Sequence, residues 1–249
     1  MSAAIYAILS VLLVSAISLV GIFFLMMKRY TLNRTVLFLV SLSAGSLFGG
    51  AILHLLPEVV EIKGFTPLVS MSVLAGIILF FLIEKLIHWR HCHVPTSKDH
   101  PHHLAPMNLI GDGVHNFIDG LIIAAGYMVS IPVGIATTIA VILHEVPQEI
   151  GDFGVLLHAG FSKKKALLFN FLTALTSIVG VVVVLIIGAK SQDFTMWILP
   201  FAAGGFLYIA GSDLIPELHK ECGGKDMLLH LSALILGIGL MLALKLFSI

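Results

Sequence analysis

The sequence predicts an all-α polytopic membrane protein with eight transmembrane helices, forming one transmembrane domain over residues 1–249. Three observations lead there. The chain is 58% hydrophobic and 11% charged, with a mean hydropathy of +1.06. Soluble globular chains are nearer 45–50% apolar and about 25% charged. The apolar residues fall in runs of ~20 or more, the length a helix needs to cross the hydrocarbon core. Such runs must satisfy their own backbone in lipid, which favours helices, and the short alternating segments of a β-barrel are missing. The formal net charge is zero, so nothing in the composition points to a nucleic-acid partner.

The first run, Ala3–Met27, is too long for a signal-peptide core. It has no basic flank before it and no small-residue cleavage site after it, so it reads as a permanent span. The second, Thr35–Val60, contains His54, and the third is Pro67–Trp89. Glu84 and Lys85 near the end of the third read as interfacial. The fourth and fifth, Pro106–Met128 and Pro132–His158, hold most of the buried-depth ionisable residues. The sixth, Lys165–Gly188, carries Asn170, Thr173, Thr176 and Ser177 along one side. These read as packing contacts, with Asn170 or Thr173 able to face a site. Phe194–His219 and Met227–Phe247 complete the set, with Tyr208 and Trp197 read as packing or interfacial residues.

Basic residues cluster in alternate loops. Lys28, Arg29 and Arg34 follow the first span, Lys85, Arg90 and Lys98 the third, Lys163–Lys165 the fifth, and Lys220 and Lys225 the seventh. The other loops hold Lys63 and Lys190, and Lys245 lies near the C-terminus. The positive-inside rule then puts both termini outside. Residues 90–105 become a cytoplasmic His-rich loop containing His91, Cys92, His93, His100, His102 and His103. Imidazole and thiol groups suit capture of soft or borderline cations, although their spacing matches no closed structural zinc site. The plainer alternative is a polar linker. Cys92 and Cys222 flank different spans and form no disulfide framework.

Span four reads Gly111-Asp112-Gly113-Val114-His115-Asn116-Phe117-Ile118-Asp119-Gly120, and span five His144-Glu145-Val146-Pro147-Gln148-Glu149-Ile150-Gly151-Asp152-Phe153. Ionisable groups at membrane depth cost several kcal/mol each, so these must face one another or a wet cavity. Residues four apart share a helical face. That pairs His115 with Asp119 and His144 with Gln148, and on neighbouring stripes Asp112 with Asn116 and Glu145 with Glu149. Facing stripes would gather imidazoles, carboxylates and amides in one volume. Neutral imidazole nitrogens and carboxylate oxygens suit Zn²⁺, Fe²⁺, Mn²⁺ or Cd²⁺. Pro147 removes one backbone hydrogen bond inside span five, and Gly111, Gly113 and Gly120 would let helices approach closely.

At these residues the sequence resembles the ZIP (Zrt/Irt-like) metal transporters. The match is closest to the branch marked by HNFxDG in span four, here His115 to Gly120, and HExPHE-G-D-F in span five, here His144 to Phe153. Gly204 to Ala210 followed by Asp213-Leu214-Ile215-Pro216-Glu217 is similar to the family's seventh span, and His54-Leu55-Leu56-Pro57-Glu58 to its second. The resemblance implies uptake of Zn²⁺, with Fe²⁺, Mn²⁺ or Cd²⁺ as further substrates, and no organic cofactor. It implies two metals between spans four and five. One would use His115, Asp119, His144 and Gln148; the other would use Asn116, Asp119, Glu145 and Glu149. His54, Asp112, Asp213, His219 and Glu221 would line the pathway. A homodimer follows from the same likeness, with spans one, four, five and six moving against the rest; the short termini suggest a plasma-membrane carrier, with an organellar membrane as the alternative. Gln148 stands where the branch has His, which shifts the expectation toward weaker or broader selectivity.

Competing readings are an intramembrane metalloprotease, an exporter and a metal sensor that does not transport. The protease chemistry needs HExxH, whereas His144-Glu145-Val146-Pro147-Gln148 lacks the second His and has a Pro inside the motif. The expectation is therefore a transporter and not an enzyme. No GxxxxGK[ST] loop is present, so gradients or downhill flow would drive it.

Overall fold

The computed structural model describes residues 2–20, 29–89, 104–188, 192–219 and 224–247, and their regular structure is entirely helical. Helix α1 (Ala3–Ile17) ends in a 3-10 turn. Helix α2 (Arg29–Gly49) passes through a π turn at Gly50–Leu55 into α3 (Leu56–Lys63). Then come α4 (Pro67–Trp89), α5 (Leu104–Val129) and α6 (Ile131–His158). Helices α7 (Lys163–Ala174) and α8 (Thr176–Gly188) are separated by one residue. Helix α9 (Gln192–Tyr208) runs through a second π turn, Ile209–Leu214, into α10 (Ile215–Leu218), and α11 (Gly224–Phe247) closes the chain.

Among the described residues, seven helical stretches are long and apolar enough to cross a membrane. The eighth predicted span is α5. Its 26 residues are long enough to cross, but Asp112, His115, Asn116 and Asp119 dilute its hydropathy. The outward faces are apolar, as lipid demands. On α4 alone, Leu68, Met71, Ile78 and Phe81 are exposed.

Local chemistry explains the element ends. Ser130 caps α6, its hydroxyl accepting from the Val133 N–H at 3.3 Å, with Pro132 in the first turn. Sequence periodicity predicts an unbroken sixth span, yet the helix breaks at Leu175. The Ala174 carbonyl beside that break accepts from the Ser177 hydroxyl at 2.7 Å and from Ser15 on α1 at 3.0 Å. The two π turns are equivalent. The Leu56 N–H bonds the Ala51 carbonyl, and the Ile215 N–H bonds the Ala210 carbonyl, each five residues back. Each turn runs up to a proline, Pro57 or Pro216, which has no N–H to continue an ordinary ladder.

Helices α5 and α6 pack on each other inside the bundle, with α1 and α8 against α5 and α2 against α6. The α5–α8 contact depends on glycine. A Cβ on Gly120 would stand 1.9 Å from the Ser177 carbonyl oxygen, and one on Gly180 would stand 2.2 Å from that of Phe117. The backbones therefore touch, as small residues allow in membrane bundles. Gly113, expected to serve likewise, meets only two threonine methyls at 3.8 Å.

Candidate metal centre

Four ligand-bearing side chains converge where α5 and α6 face each other. His115 and Asp119 come from α5, one helical turn apart, and His144 and Glu145 from α6. The His115 and His144 Nε2 atoms are 3.2 Å apart. His115 Nε2 lies 3.6 Å from Asp119 Oδ2 and 3.3 Å from Glu145 Oε1. His144 Nε2 lies 3.3 Å from Asp119 Oδ2 and 3.6 Å from Glu145 Oε1. All ligand atoms of the group fall within 4.8 Å of one another.

These separations match a small tetrahedral ion. Zinc bonds to nitrogen and oxygen of about 2.0–2.1 Å give tetrahedron edges of roughly 3.3–3.4 Å. The donors are also prepared electronically. His144 Nδ1 sits 3.1 Å from the Ala140 carbonyl. A carbonyl only accepts, so Nδ1 carries the proton and Nε2 keeps its lone pair for the site. Asp119, His144 and Glu145 are each 1% exposed, while His115 retains 13%. Both Asp119 oxygens and Glu145 Oε1 have no hydrogen-bond partner. Buried acceptors left this way are costly unless something electropositive meets them.

Aromatic rings from the opposite wall seat the imidazoles. Phe80 on α4 meets His115 edge-on at 6.1 Å, and Phe206 on α9 meets His144 at 6.0 Å. Beside His115 lies a cavity of about 330 Å³. Gln148, Asp112, Asp152, Asn108, Glu84 and Asp213 are among its polar lining. The lining residues come from α2 at Val40, the second half of α4, the first half of α5, the second half of α6, the end of α9 at Tyr208 and the second π turn. All belong to the half of the bundle that ends at Arg34 and Lys163–Lys165.

The remaining expected residues are distributed around this centre. Gln148 lines the cavity together with His115. Glu149 is 1% exposed, and its side chain accepts from the Asn170 amide. Asp112 accepts from Asn116 at 2.7 Å and from the Thr173 hydroxyl. Asn170 and Thr173 thus bond to carboxylates beside the site, beyond simple packing. His54 is buried, but its Nε2 lies 2.8 Å from the Met241 carbonyl on α11, and it does not line the cavity. Glu84 is not merely interfacial. It lines the cavity and accepts from the Tyr208 hydroxyl. His219 is exposed at the end of the α9–α10 segment. Glu221 and the loop residues His91, Cys92, His93, His100, His102 and His103 lie outside the described residues.

The comparisons agree with this architecture. The family model for the ZIP zinc transporters matches residues 1–107 and 103–245, and the chain belongs to that family. Zinc transporter ZIP10 of Danio rerio is 41% identical over 152 residues, covering 58% of this chain and 18% of that protein. Zinc transporter ZIP4 of Homo sapiens is 33% identical over 258 residues, covering 77% and 40%. Zinc transporter zipt-7.1 of Caenorhabditis briggsae is 34% identical over 217 residues, covering 70% and 55%. The chain thus spans between 18% and 55% of these relatives. The family bears the name of zinc transporters, which lends the protease reading no support.

Proposed function

We propose that this chain carries Zn²⁺ across the bilayer toward the cytoplasm, through a site made by His115, Asp119, His144 and Glu145. The observation that carries this is the set of five donor separations between 3.2 and 3.6 Å, in a buried group with unpartnered carboxylate oxygens. The relatives named as zinc transporters support the same cargo. Fe²⁺, Mn²⁺ and Cd²⁺ are secondary substrates, since the donor set is mixed nitrogen and oxygen. Gln148 joins the coordination as the ion enters the cavity, and Asn116 and Glu149 serve a second ion beside Asp119.

Direction rests on two supports. The cavity lies in the half of the bundle whose loops carry the basic residues, and that half is cytoplasmic by the positive-inside rule. Both termini are then extracytoplasmic. Asp213 and His219 lie along the exit, and Glu221 and the His-rich loop receive the ion. The working unit is a homodimer in the plasma membrane.

The test is flux into proteoliposomes holding the purified full chain, with Zn²⁺, Fe²⁺, Mn²⁺ and Cd²⁺ in competition. His115→Ala should abolish flux while the protein remains in the membrane. Normal transport by that variant refutes the site, and ion binding without flux in the unmodified chain makes it a sensor.

A further inference from the structure

Asp112 and Thr173 stand outside the four-donor group, yet they fix the attitude of a neighbour. Asn116 is fully buried. Its Nδ2 donates to Asp112 Oδ1 at 2.7 Å and to the Asp112 carbonyl at 3.2 Å. The other Asp112 carboxylate oxygen accepts from the Thr173 hydroxyl. That hydroxyl also lies near the Phe169 and Asn170 carbonyls at 3.0 and 2.8 Å. With a single proton to give, it favours the anionic acceptor.

An amide bound through its nitrogen must turn its oxygen elsewhere. The reverse rotamer would turn the amide oxygen toward the Asp112 backbone carbonyl, which has no proton to give, so the nitrogen faces Asp112. Asn116 Oδ1 is left buried without a hydrogen-bond partner. Asn116 adjoins His115 in sequence and lies one turn from Asp119 on α5. The device recurs next door. Asn170 Nδ2 donates to the Glu149 side chain and to its carbonyl at 3.2 Å, leaving Asn170 Oδ1 and Glu149 Oε1 unpartnered.

We propose that Asp112 and Thr173 are positioning residues. They clip the Asn116 amide so that its carbonyl oxygen, and not its nitrogen, is presented to a divalent cation in the site. The role assigned to Asp112 is thus indirect, in place of direct contact with a passing ion. This rests on the metal-site reading above.

The test uses Thr173→Val, which keeps shape and removes the hydroxyl, and Thr173→Ser, which restores it. Equilibrium binding of Mn²⁺ and of Cd²⁺ is measured on the purified full chain. Losing an oxygen donor should harm the oxygen-preferring Mn²⁺ more than the softer Cd²⁺. Outer-shell changes at metal sites typically cost 10–100-fold, so Mn²⁺ affinity should fall about tenfold in Thr173→Val, with Cd²⁺ changed by less than about threefold. Thr173→Ser should recover both. Equal weakening of the two ions, no change in either, or failure of Thr173→Ser to recover would overturn the positioning role. Tighter binding would also overturn it, because a released Asp112 would then be a ligand itself. His115→Ala, run alongside, separates the two ideas. Normal binding by that variant overturns the site and this inference with it. Loss there, with an unchanged Mn²⁺ to Cd²⁺ ratio in Thr173→Val, overturns the positioning role alone.

Discussion

Replacing Asp119 by Asn separates charge from donor count. The variant keeps side-chain volume and one oxygen but removes a negative charge. With both imidazoles neutral, Asp119 and Glu145 together balance one divalent cation, and uncompensated charge in a low-dielectric interior is expensive. Asp119 Oδ2 lies 3.3 Å from His144 Nε2 and 3.6 Å from His115 Nε2, so an ion among these donors sits within about 3 Å of the carboxylate. At an effective dielectric near 20, that attraction is on the order of 10 kcal/mol. If desolvation cancels three-quarters of it, ~2.5 kcal/mol remains, or roughly 70-fold in Kd. Calorimetric titration of Zn²⁺ into the purified full chain in lipid nanodiscs measures this, with Asp119→Ala in parallel. We expect the two variants to lose comparable affinity while helical content is unchanged. Asp119→Asn binding within about threefold of the unmodified chain, beside a large loss in Asp119→Ala, would refute the charge argument and leave donor count as the cause.

Two further predictions concern packing and selectivity. Gly120→Ala forces a methyl against the Ser177 carbonyl, which cannot rotate away, whereas at Gly239 a Cβ meets nothing within 4 Å. Overpacking of this kind costs about 1–3 kcal/mol, so Gly120→Ala should lower the detergent melting temperature by roughly 3–10 °C. Gly239→Ala should be neutral or slightly stabilising, by up to ~1 kcal/mol from helix propensity, and equal melting temperatures would contradict the backbone contact. Gln148→His should tighten Zn²⁺ binding, since imidazole is the better zinc ligand at a position lining the cavity. Unchanged affinity and selectivity would mean that Gln148 stays outside the coordination.

The spans were legible because lipid selects for long apolar runs, and the third matches its predicted limits, Pro67–Trp89. The breaks were not. Hydropathy reports the solvent a residue faces and is silent on hydrogen-bond register, so the π turns and the interruption at Leu175 left no signal in it. The prolines after both π turns were the available clue. At the site, the i to i+4 rule found His115 with Asp119 but paired His144 with Gln148. The structure also brings Glu145, the immediate neighbour of His144, into the group. Adjacent residues do not face each other along one helix, yet an opposing helix can aim into the wedge between them, and that is where α5 directs His115. Glu84 was missed for a similar reason. Its partner Tyr208 lies 124 positions away on α9, and its place beside Lys85 at a span end imitates an interfacial residue.

An apolar cluster and close glycine contacts hold the helices around the site. Leu47, Leu55, Ile122, Ile123 and Phe206 are at most 1% exposed and belong to one apolar cluster. Glycine contacts join the helices in pairs. Gly45 and Gly237 bring α2 and α11 together backbone to backbone, Gly76 and Gly204 do so for α4 and α9, and Gly120 and Gly180 for α5 and α8. Each would place a Cβ 1.9–2.3 Å from a carbonyl oxygen of its partner helix. The four-donor group lies between these pairs. His115 and Asp119 stand on α5, while Phe80 and Phe206, which cover the imidazoles, stand on α4 and α9. Separating backbones in van der Waals contact would break whole helix pairs. The four-donor group therefore lies between helix pairs that are each held by backbone contact.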